Sequence, residues 1–191
     1  MRNKLLLLAL GILSLSAAGC LWSVHPLHTN DAGVFEPALL GVWATPDGEK
    51  TAIIEHGDDN SYEITYVQED LSEGASGKYR GRLVRLGEDL FLDVYPDKKA
   101  VEALMEAKPV WYLLPTHTFY RLQLDGDAVT VSLVDDELVR GTGEPPLANE
   151  KVTEEDGYLL TASPTEMQAQ LEKRAGDESI YVKLGEFRRL K

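Results

Sequence analysis

Short runs of alternating apolar and polar residues occupy most of the chain. In one run Tyr62, Ile64 and Tyr66 alternate with polar residues. The same period of two recurs in three further runs, at 90–94, 120–124 and 129–133. Successive side chains of a β-strand point to opposite faces, so this pattern is typical of strands with one buried and one solvated face. The pattern therefore predicts a mainly β protein.

Turn sequences separate these runs at short intervals. Asp125-Gly126 lies between two alternating runs, which is a strong signal for a hairpin. Gly87-Glu88-Asp89 and Gly57-Asp58-Asp59-Asn60 link further runs in the same way. Consecutive hairpins form an antiparallel meander, and a long meander that closes into a barrel loses its exposed edges. We therefore predict roughly 8–10 strands in a closed or nearly closed barrel.

Two segments have the pattern of helices instead. Ser163 opens a capping box before residues 164–175, with a proline at the first helical position. On this helix Met167 and Leu171 face the expected core. The other segment, 97–108, places four apolar side chains on one face: Ala100, Val101, Leu104 and Met105. We expect two short helices at the periphery of the barrel.

The first twenty residues have the layout of a secretory signal peptide. Arg2 and Lys4 precede the apolar run Leu5–Leu15, and small residues then lead to Cys20, the only cysteine. The ending Ala17-Ala18-Gly19-Cys20 resembles the lipobox of bacterial lipoproteins, in which the cysteine is acylated and becomes the mature N-terminus. The resemblance implies a lipoprotein with acyl chains such as palmitate on this cysteine, held in the outer membrane and facing the periplasm.

Two other interpretations of this segment stay open. The apolar run could be a transmembrane helix, although it is shorter than the roughly 20 residues that span a bilayer. The cysteine could also follow a conventional signal peptide and carry no lipid. The lipoprotein interpretation gives a signal peptide at 1–19, a lipidated N-terminus and tether at 20–37, and a β-barrel-like domain at 38–191.

The charge of the mature chain limits its partners. Removal of residues 1–19 takes away two cations and no acids, so the formal charge becomes 17 − 32 = −15. Nucleic-acid binding needs a basic face, so nucleic acid is not an expected partner. Such a chain is equally unsuited to lie flat on anionic lipid, and the acyl chains on Cys20 would supply the membrane attachment.

Gly41-Val42-Trp43 stands at the opening of the first strand of the expected barrel. A Gly-x-Trp at this place resembles the lipocalin and calycin barrels, in which the tryptophan closes the base and an arginine near the last strand stacks across it. The resemblance implies that Trp43 closes the base of this barrel. Arg188 or Arg189 would be the stacking arginine, and Arg188 is the one we include in the predicted site.

Four cations lie close together in this acidic chain, between Lys78 and Arg85. Arg80 and Arg82 are two residues apart and therefore share one face of a strand. If that face is interior, their guanidinium groups would hold the carboxylate or phosphate of a ligand. If it is exterior, they pair with neighbouring acidic side chains.

His117 stands between two threonines at the start of an alternating run. Inside a barrel it would hydrogen-bond a ligand or act as a base, whereas at a strand entrance it would be an ordinary structural residue. The predicted ligand site therefore combines polar and aromatic candidates with apolar lining residues. The candidates are Arg80, Arg82, His117, Tyr62 and Tyr66, and the lining residues are Ile64, Leu90, Leu92, Leu122 and Leu124.

The residues offer little that is typical of catalysis, metal binding or cofactor binding. His25 and His28 are three apart, but Pro26 between them disfavours a helix and no second ligand pair follows at a suitable spacing. Residues 74–77 are rich in glycine but lack the lysine of a phosphate-binding loop. We therefore expect no enzyme, no catalytic residue, no metal and no cofactor.

Two functions remain as hypotheses. The first is a lipid-anchored cell-envelope protein whose barrel binds a small apolar or amphipathic molecule. The alternative is an interaction, inhibitor or assembly module that uses acidic loops, at 135–137 and 154–156, against an envelope protein. Residues 83–95 and 113–124 also resemble a group of bacterial lipoproteins, which implies a location in the cell envelope and no particular activity.

Overall fold

A computed structural model describes residues 20–29, 33–68, 75–107, 114–140, 147–152 and 157–190. The predicted signal peptide at 1–19 lies outside these residues. The strands are β1 (Cys20–Ser23), β2 (Gly33–Val34), β3 (Gly41–Ala44), β4 (Lys50–His56), β5 (Tyr62–Gln68), β6 (Ala75–Leu86), β7 (Asp89–Pro96), β8 (Thr118–Asp125), β9 (Ala128–Val134), β10 (Asn149–Lys151), β11 (Gly157–Leu160) and β12 (Tyr181–Arg189). The α-helices are α1 (Lys98–Ala107), α2 (Glu137–Arg140) and α3 (Pro164–Lys173).

Eight antiparallel strands close into a barrel in the order β3, β4, β5, β6, β7, β8, β9 and β12. This order follows the chain, and β12 returns to pair with β3 through Arg188 opposite Ala44. The segments β10, β11, α2 and α3 are inserted between the last two barrel strands. The prediction of an antiparallel, lipocalin-like barrel with peripheral helices is confirmed.

Tight hairpins join the strands where the sequence places its turn signals. Gly87 and Gly126 occupy the turns between β6 and β7 and between β8 and β9, with φ of 59° and 58°. Glycine adopts these left-handed angles without the steric cost that a side chain would bring. Both turns lie at the same end of the barrel, which we call the base. The opposite end, where β5 ends at Gln68 and β7 ends at Pro96, is the mouth.

The N-terminal segment crosses the outer wall of the barrel from mouth to base. Strand β1 pairs in parallel with β11, and the backbone of Ser23 forms a bridge to His117 near the mouth. Further along, Val34 of β2 pairs with Leu83, and the 3-10 helix Pro37–Leu39 reaches the base. The described part of the predicted tether at 20–37 is thus packed against the barrel, and Leu21 and Leu27 are buried.

The helices agree with the predicted positions, with one difference in packing. On α3, Met167 and Leu171 are fully buried as expected, and Ser163 with Glu166 forms the capping box. On α1, however, Ala100 and Met105, two of the four residues of the predicted apolar face, are exposed. The short helix α2 was not predicted. No helix among the described residues combines the length and apolarity needed to cross a bilayer.

The barrel wall separates two hydrophobic clusters. The inner cluster includes Trp43, Ile64, Leu92 and Leu122, from the inward face of the strands. The outer cluster joins apolar residues on the outside of the barrel wall to α3 and to the three-stranded sheet of β1, β10 and β11: Val84, Phe91, Phe119, Leu160, Met167 and Leu171. The part of the wall that α3 and the small sheet cover is therefore apolar on both its inner and its outer surface. In that part the strands show runs of consecutive buried residues in place of a simple alternation.

Candidate functional site: a cavity inside the barrel

The barrel is hollow and encloses a cavity of about 560 Å³. Its deep part is apolar and is lined by Leu39, Trp43, Ile64, Leu92, Leu122 and Phe187. Ligand pockets for small molecules occupy about 300–1,000 Å³ and are mostly apolar with a few polar groups. The cavity thus has the size and lining of a site for a small, largely apolar molecule.

Glycines on the inward face of β6 create part of this space. A Cβ on Gly81 would lie 2.9 Å from the Cδ1 atoms of both Ile64 and Leu92. A Cβ on Gly77 would lie 2.4 Å from the hydroxyl of Tyr79, because that ring lies across the glycine. Side chains at these positions would therefore push the lining residues into the cavity.

Three tyrosines form a polar band above the apolar part. Tyr66, Tyr79 and Tyr120 all line the cavity, and the Tyr66 hydroxyl donates to Oε1 of Gln68 at 3.2 Å. Burial, reinforced by the other two tyrosines, raises the pKa of Tyr120 to about 12. Its phenol is therefore protonated at neutral pH and can donate a hydrogen bond to a ligand acceptor.

Charged and amide groups lie nearer the mouth. Lys50 and Gln68 are paired neighbours on β4 and β5, and both line the cavity. Of the described residues that line the cavity, Lys50 alone carries a formal charge. Trp22 of the N-terminal segment and Leu184 of β12 complete the rim at this end. A molecule in the cavity would therefore meet the cation of Lys50, several hydrogen-bonding groups and an apolar floor.

The base is closed around Trp43. Its indole N–H donates to the carbonyl of Leu39 at 2.9 Å, and the guanidinium of Arg189 lies 4.4 Å above its ring. The same guanidinium donates to the carbonyls of Ala38 and Leu40. A cation over an indole face, with its donors on backbone carbonyls, fixes the first strand to the last.

Gly41 is needed for this closure. Its φ of 132° is unfavourable for a residue with a side chain, and a Cβ there would lie 2.8 Å from Nη1 of Arg189. The predicted identity of the arginine needs a correction, because Arg189 stacks on Trp43. Arg188 is exposed and pairs with Glu186 at 3.0 Å. Arg188 is therefore not the closing arginine.

Arg80 and Arg82 are placed outside the cavity. They alternate along β6 with Tyr79 and Gly81, whose positions are turned inward, so their side chains leave the outer face. Arg80 lies 3.8 Å from Asp97 across the surface. Both arginines therefore lie on the exterior of the barrel, and the prediction that they hold a ligand inside it is wrong.

The other predicted site residues divide between cavity and wall. Tyr66 lines the cavity, whereas Tyr62 is buried beneath it, where its hydroxyl accepts from the Glu36 amide at 2.7 Å. Of the apolar lining residues that we predicted, Ile64, Leu92 and Leu122 line the cavity. Leu90 and Leu124 belong to the inner cluster but do not line the cavity.

His117 faces the outer wall, where it joins a buried carboxylate. Its Nδ1 lies 2.6 Å from Oδ1 of Asp93, and Nδ1 of His28 lies 3.2 Å from Oδ2. The Leu27 amide donates to the same Oδ2 at 2.8 Å. Burial acts to raise the pKa of Asp93, but the hydrogen bonds from His117 and His28 outweigh it and hold that pKa below its usual value. The cluster fixes the N-terminal segment to β7 and β8.

The acidic surface of the alternative hypothesis is only partly described. Asp135 and Asp136 are buried, with 7% and 1% exposure, and Asp136 pairs with Arg140. These residues are thus part of the fold and do not form an open acidic face. The second predicted acidic run, at 154–156, lies outside the described residues.

Several cavity residues were absent from the predicted site. Tyr79 and Tyr120 were detectable, because they share strand parity with other inward residues. Lys50 stands at the end of a strand, where a polar residue is normally expected to face solvent. Trp22 lines the cavity but belongs to β1, which is not one of the barrel strands. No short-range pattern identifies either one.

The fold and the cavity together define a hollow, lipocalin-like β-barrel. No protein-family model, curated protein or solved structure matches this chain. In the described part of the chain, no group of three or more His, Cys, Asp or Glu side chains is arranged to hold a metal ion.

Proposed function

We propose that this protein is a lipid-anchored protein of the bacterial cell envelope whose barrel binds a small amphipathic molecule. The observation that carries the proposal is the cavity of about 560 Å³, apolar at its floor and polar toward its mouth. The signal-peptide pattern and Cys20 support the location.

The gradient of polarity along the cavity suggests how such a molecule would lie. An apolar chain or ring system would occupy the space around Trp43, Leu122 and Phe187. A head group with a negative charge or hydrogen-bond acceptors would lie toward Lys50 and the phenol of Tyr120. This arrangement replaces the one in which Arg80 and Arg82 held the head group.

The test blocks the cavity from within and uses the neighbouring residue as a control. Ala52 lines the cavity, and the next residue, Ile53, is on the outer face with 36% exposure. We expect Ala52→Trp to fill the space beside Trp43 and Tyr66, which are its partners on the adjacent strands. Ile53→Trp adds the same indole to the same strand but leaves the cavity open.

Binding is measured by the fluorescence of 11-(dansylamino)undecanoic acid, a single-chain amphiphile, titrated with the purified protein. We expect saturable binding to the wild type and to Ile53→Trp, and at least a tenfold loss of affinity in Ala52→Trp. Native mass spectrometry of the same samples reports any small molecule retained from the cell. Equal affinity in both variants, or no binding by the wild type together with a clean unliganded mass, would contradict the proposal.

A further inference from the structure

The mouth of the barrel carries most of the exposed large apolar side chains of the described residues. Six such residues are found, and four lie at or beside the mouth: Met105, Leu114, Val152 and Leu184, with exposures of 38%, 56%, 48% and 43%. The other two are Ile53 on the outer wall and Leu190 at the base. Exposed apolar residues gathered on one face mark a contact surface, whereas single ones need no explanation.

The fold brings these four residues to the mouth from separate elements. Leu184 lines the cavity itself, and Leu114 precedes the cavity residue Thr116. Met105 is on α1, which follows the mouth end of β7. Val152 donates its backbone N–H to Gly157, the residue paired with Cys20.

The predicted acylation site lies at the same end. Cys20 begins β1, and Trp22, two residues later, lines the cavity. At about 3.3 Å per strand residue, the backbone of Cys20 is about 7 Å from that of Trp22. The chain then runs toward the base, where Trp43 and Arg189 close the barrel. Acyl chains on Cys20 would therefore leave the protein beside the open end of the cavity.

We infer that the mouth of the barrel docks on the bilayer that holds the acyl chains of Cys20, so that the cavity receives its amphiphile directly from the membrane. This inference rests on the proposed lipid anchor and on ligand binding in the cavity. The contact is apolar, which suits a mature chain of formal charge 17 − 32 = −15, because an acidic protein is repelled by anionic lipid.

The orientation is tested on the full chain, processed in cells and purified in its acylated form. Glu49 and Glu88 are both exposed turn residues, the first at the mouth between β3 and β4, the second at the base between β6 and β7. Each is replaced separately by cysteine and labelled with a nitrobenzoxadiazole fluorophore. The acylated Cys20 has no thiol left to react.

The labelled proteins are reconstituted in phosphatidylcholine vesicles that contain a lipid with a nitroxide head group. We expect strong quenching of the label at position 49 and little at position 88, since the length of the barrel separates the two. Equal quenching at both positions, or stronger quenching at the base, would overturn the inference.

A second experiment measures transfer of 11-(dansylamino)undecanoic acid from vesicles to the anchored protein. Leu114→Glu places a charge at the mouth without altering a residue that lines the cavity, and Ile53→Glu is the control on the outer wall. We expect transfer to slow several-fold in Leu114→Glu alone, with affinity for the same compound in solution unchanged in both variants.

The two measurements separate the inference from the function on which it rests. Binding in solution with no effect of Leu114→Glu on transfer would overturn membrane delivery and leave ligand binding intact. Absence of binding in solution would remove the proposed function itself. A mass spectrum without acyl chains on Cys20 would remove the anchor, and the docking inference with it.

Discussion

The closure of the barrel base gives a sharp prediction, because two adjacent arginines differ in their contacts. Arg189→Ala removes a cation that lies 4.4 Å from the ring of Trp43 and donates to the carbonyls of Ala38 and Leu40. Arg188→Ala, the matched control, removes an exposed side chain whose ion pair is with Glu186 at 3.0 Å.

The expected magnitudes differ clearly. A cation–π contact contributes about 0.5–2 kcal/mol. A hydrogen bond from a charged group contributes about 1.5–3 kcal/mol, and two such bonds that share one guanidinium are not additive. We therefore expect Arg189→Ala to lower the free energy of unfolding by about 3 kcal/mol. An exposed ion pair contributes about 0–1 kcal/mol, so Arg188→Ala should have little effect.

The assay is thermal and urea denaturation followed by circular dichroism and by tryptophan fluorescence. A loss of about 3 kcal/mol should lower Tm by roughly 6–12 °C in a domain of this size. The near-ultraviolet signal of Trp43 should also weaken, because its ring loses a fixed neighbour. If both alanine variants are equally stable, or if Arg188→Ala is the less stable, the closure described here is wrong.

Two further predictions concern the wall and the outer core. Asp93→Asn should lower the free energy of unfolding by about 2 kcal/mol at pH 7, because a charged acceptor of three hydrogen bonds is lost. The pKa of Asp93 is depressed in the folded protein, so the contribution of its charge to stability is present above the unfolded pKa of about 3.9 and is lost as pH falls below that value. Urea titrations at pH 7 and pH 3 should therefore show that the difference in stability between the wild type and Asp93→Asn shrinks at the lower pH. A difference that stays constant would refute the charge argument. Leu171→Ala in the outer cluster should lower the free energy of unfolding by about 3–5 kcal/mol. Leu122 lies beside an existing cavity, so Leu122→Ala should lower it by only about 2 kcal/mol. Equal losses of the two variants in urea denaturation would contradict the closed packing of the outer cluster.

Local sequence patterns determined the strands, the hairpins and the order in which the strands join. The alternation around Ile64 and the Asp125-Gly126 turn are short-range signals, and a meander needs only neighbouring strands to pair. The capping box at Ser163 likewise located α3, since its two hydrogen bonds span three residues. These features depend on a few consecutive residues, so the sequence alone was sufficient for them.

The tertiary structure decided which face of a strand each cation occupies. Strand β12 has an irregular register between Lys183 and Gly185, which shifts the alternation for the residues that follow. Arg189, two residues after inward-facing Phe187, therefore reaches Trp43, and Arg188 does not. An offset of one residue reverses every later position, and no local property of the two arginines reveals it.

The composition of the cavity and of the wall cluster also required the folded chain. Asp93 and His117 are 24 residues apart, and His28 comes from the N-terminal segment, yet all three meet on the outer wall. Trp22 reaches the cavity because β1 pairs with a strand inserted late in the chain and because Ser23 bridges to His117. The sequence by itself determined an antiparallel barrel built from consecutive strands. Only long-range pairing decided that the barrel is hollow, what lines it and which end lies beside Cys20, because those contacts join residues with no periodic relation to one another.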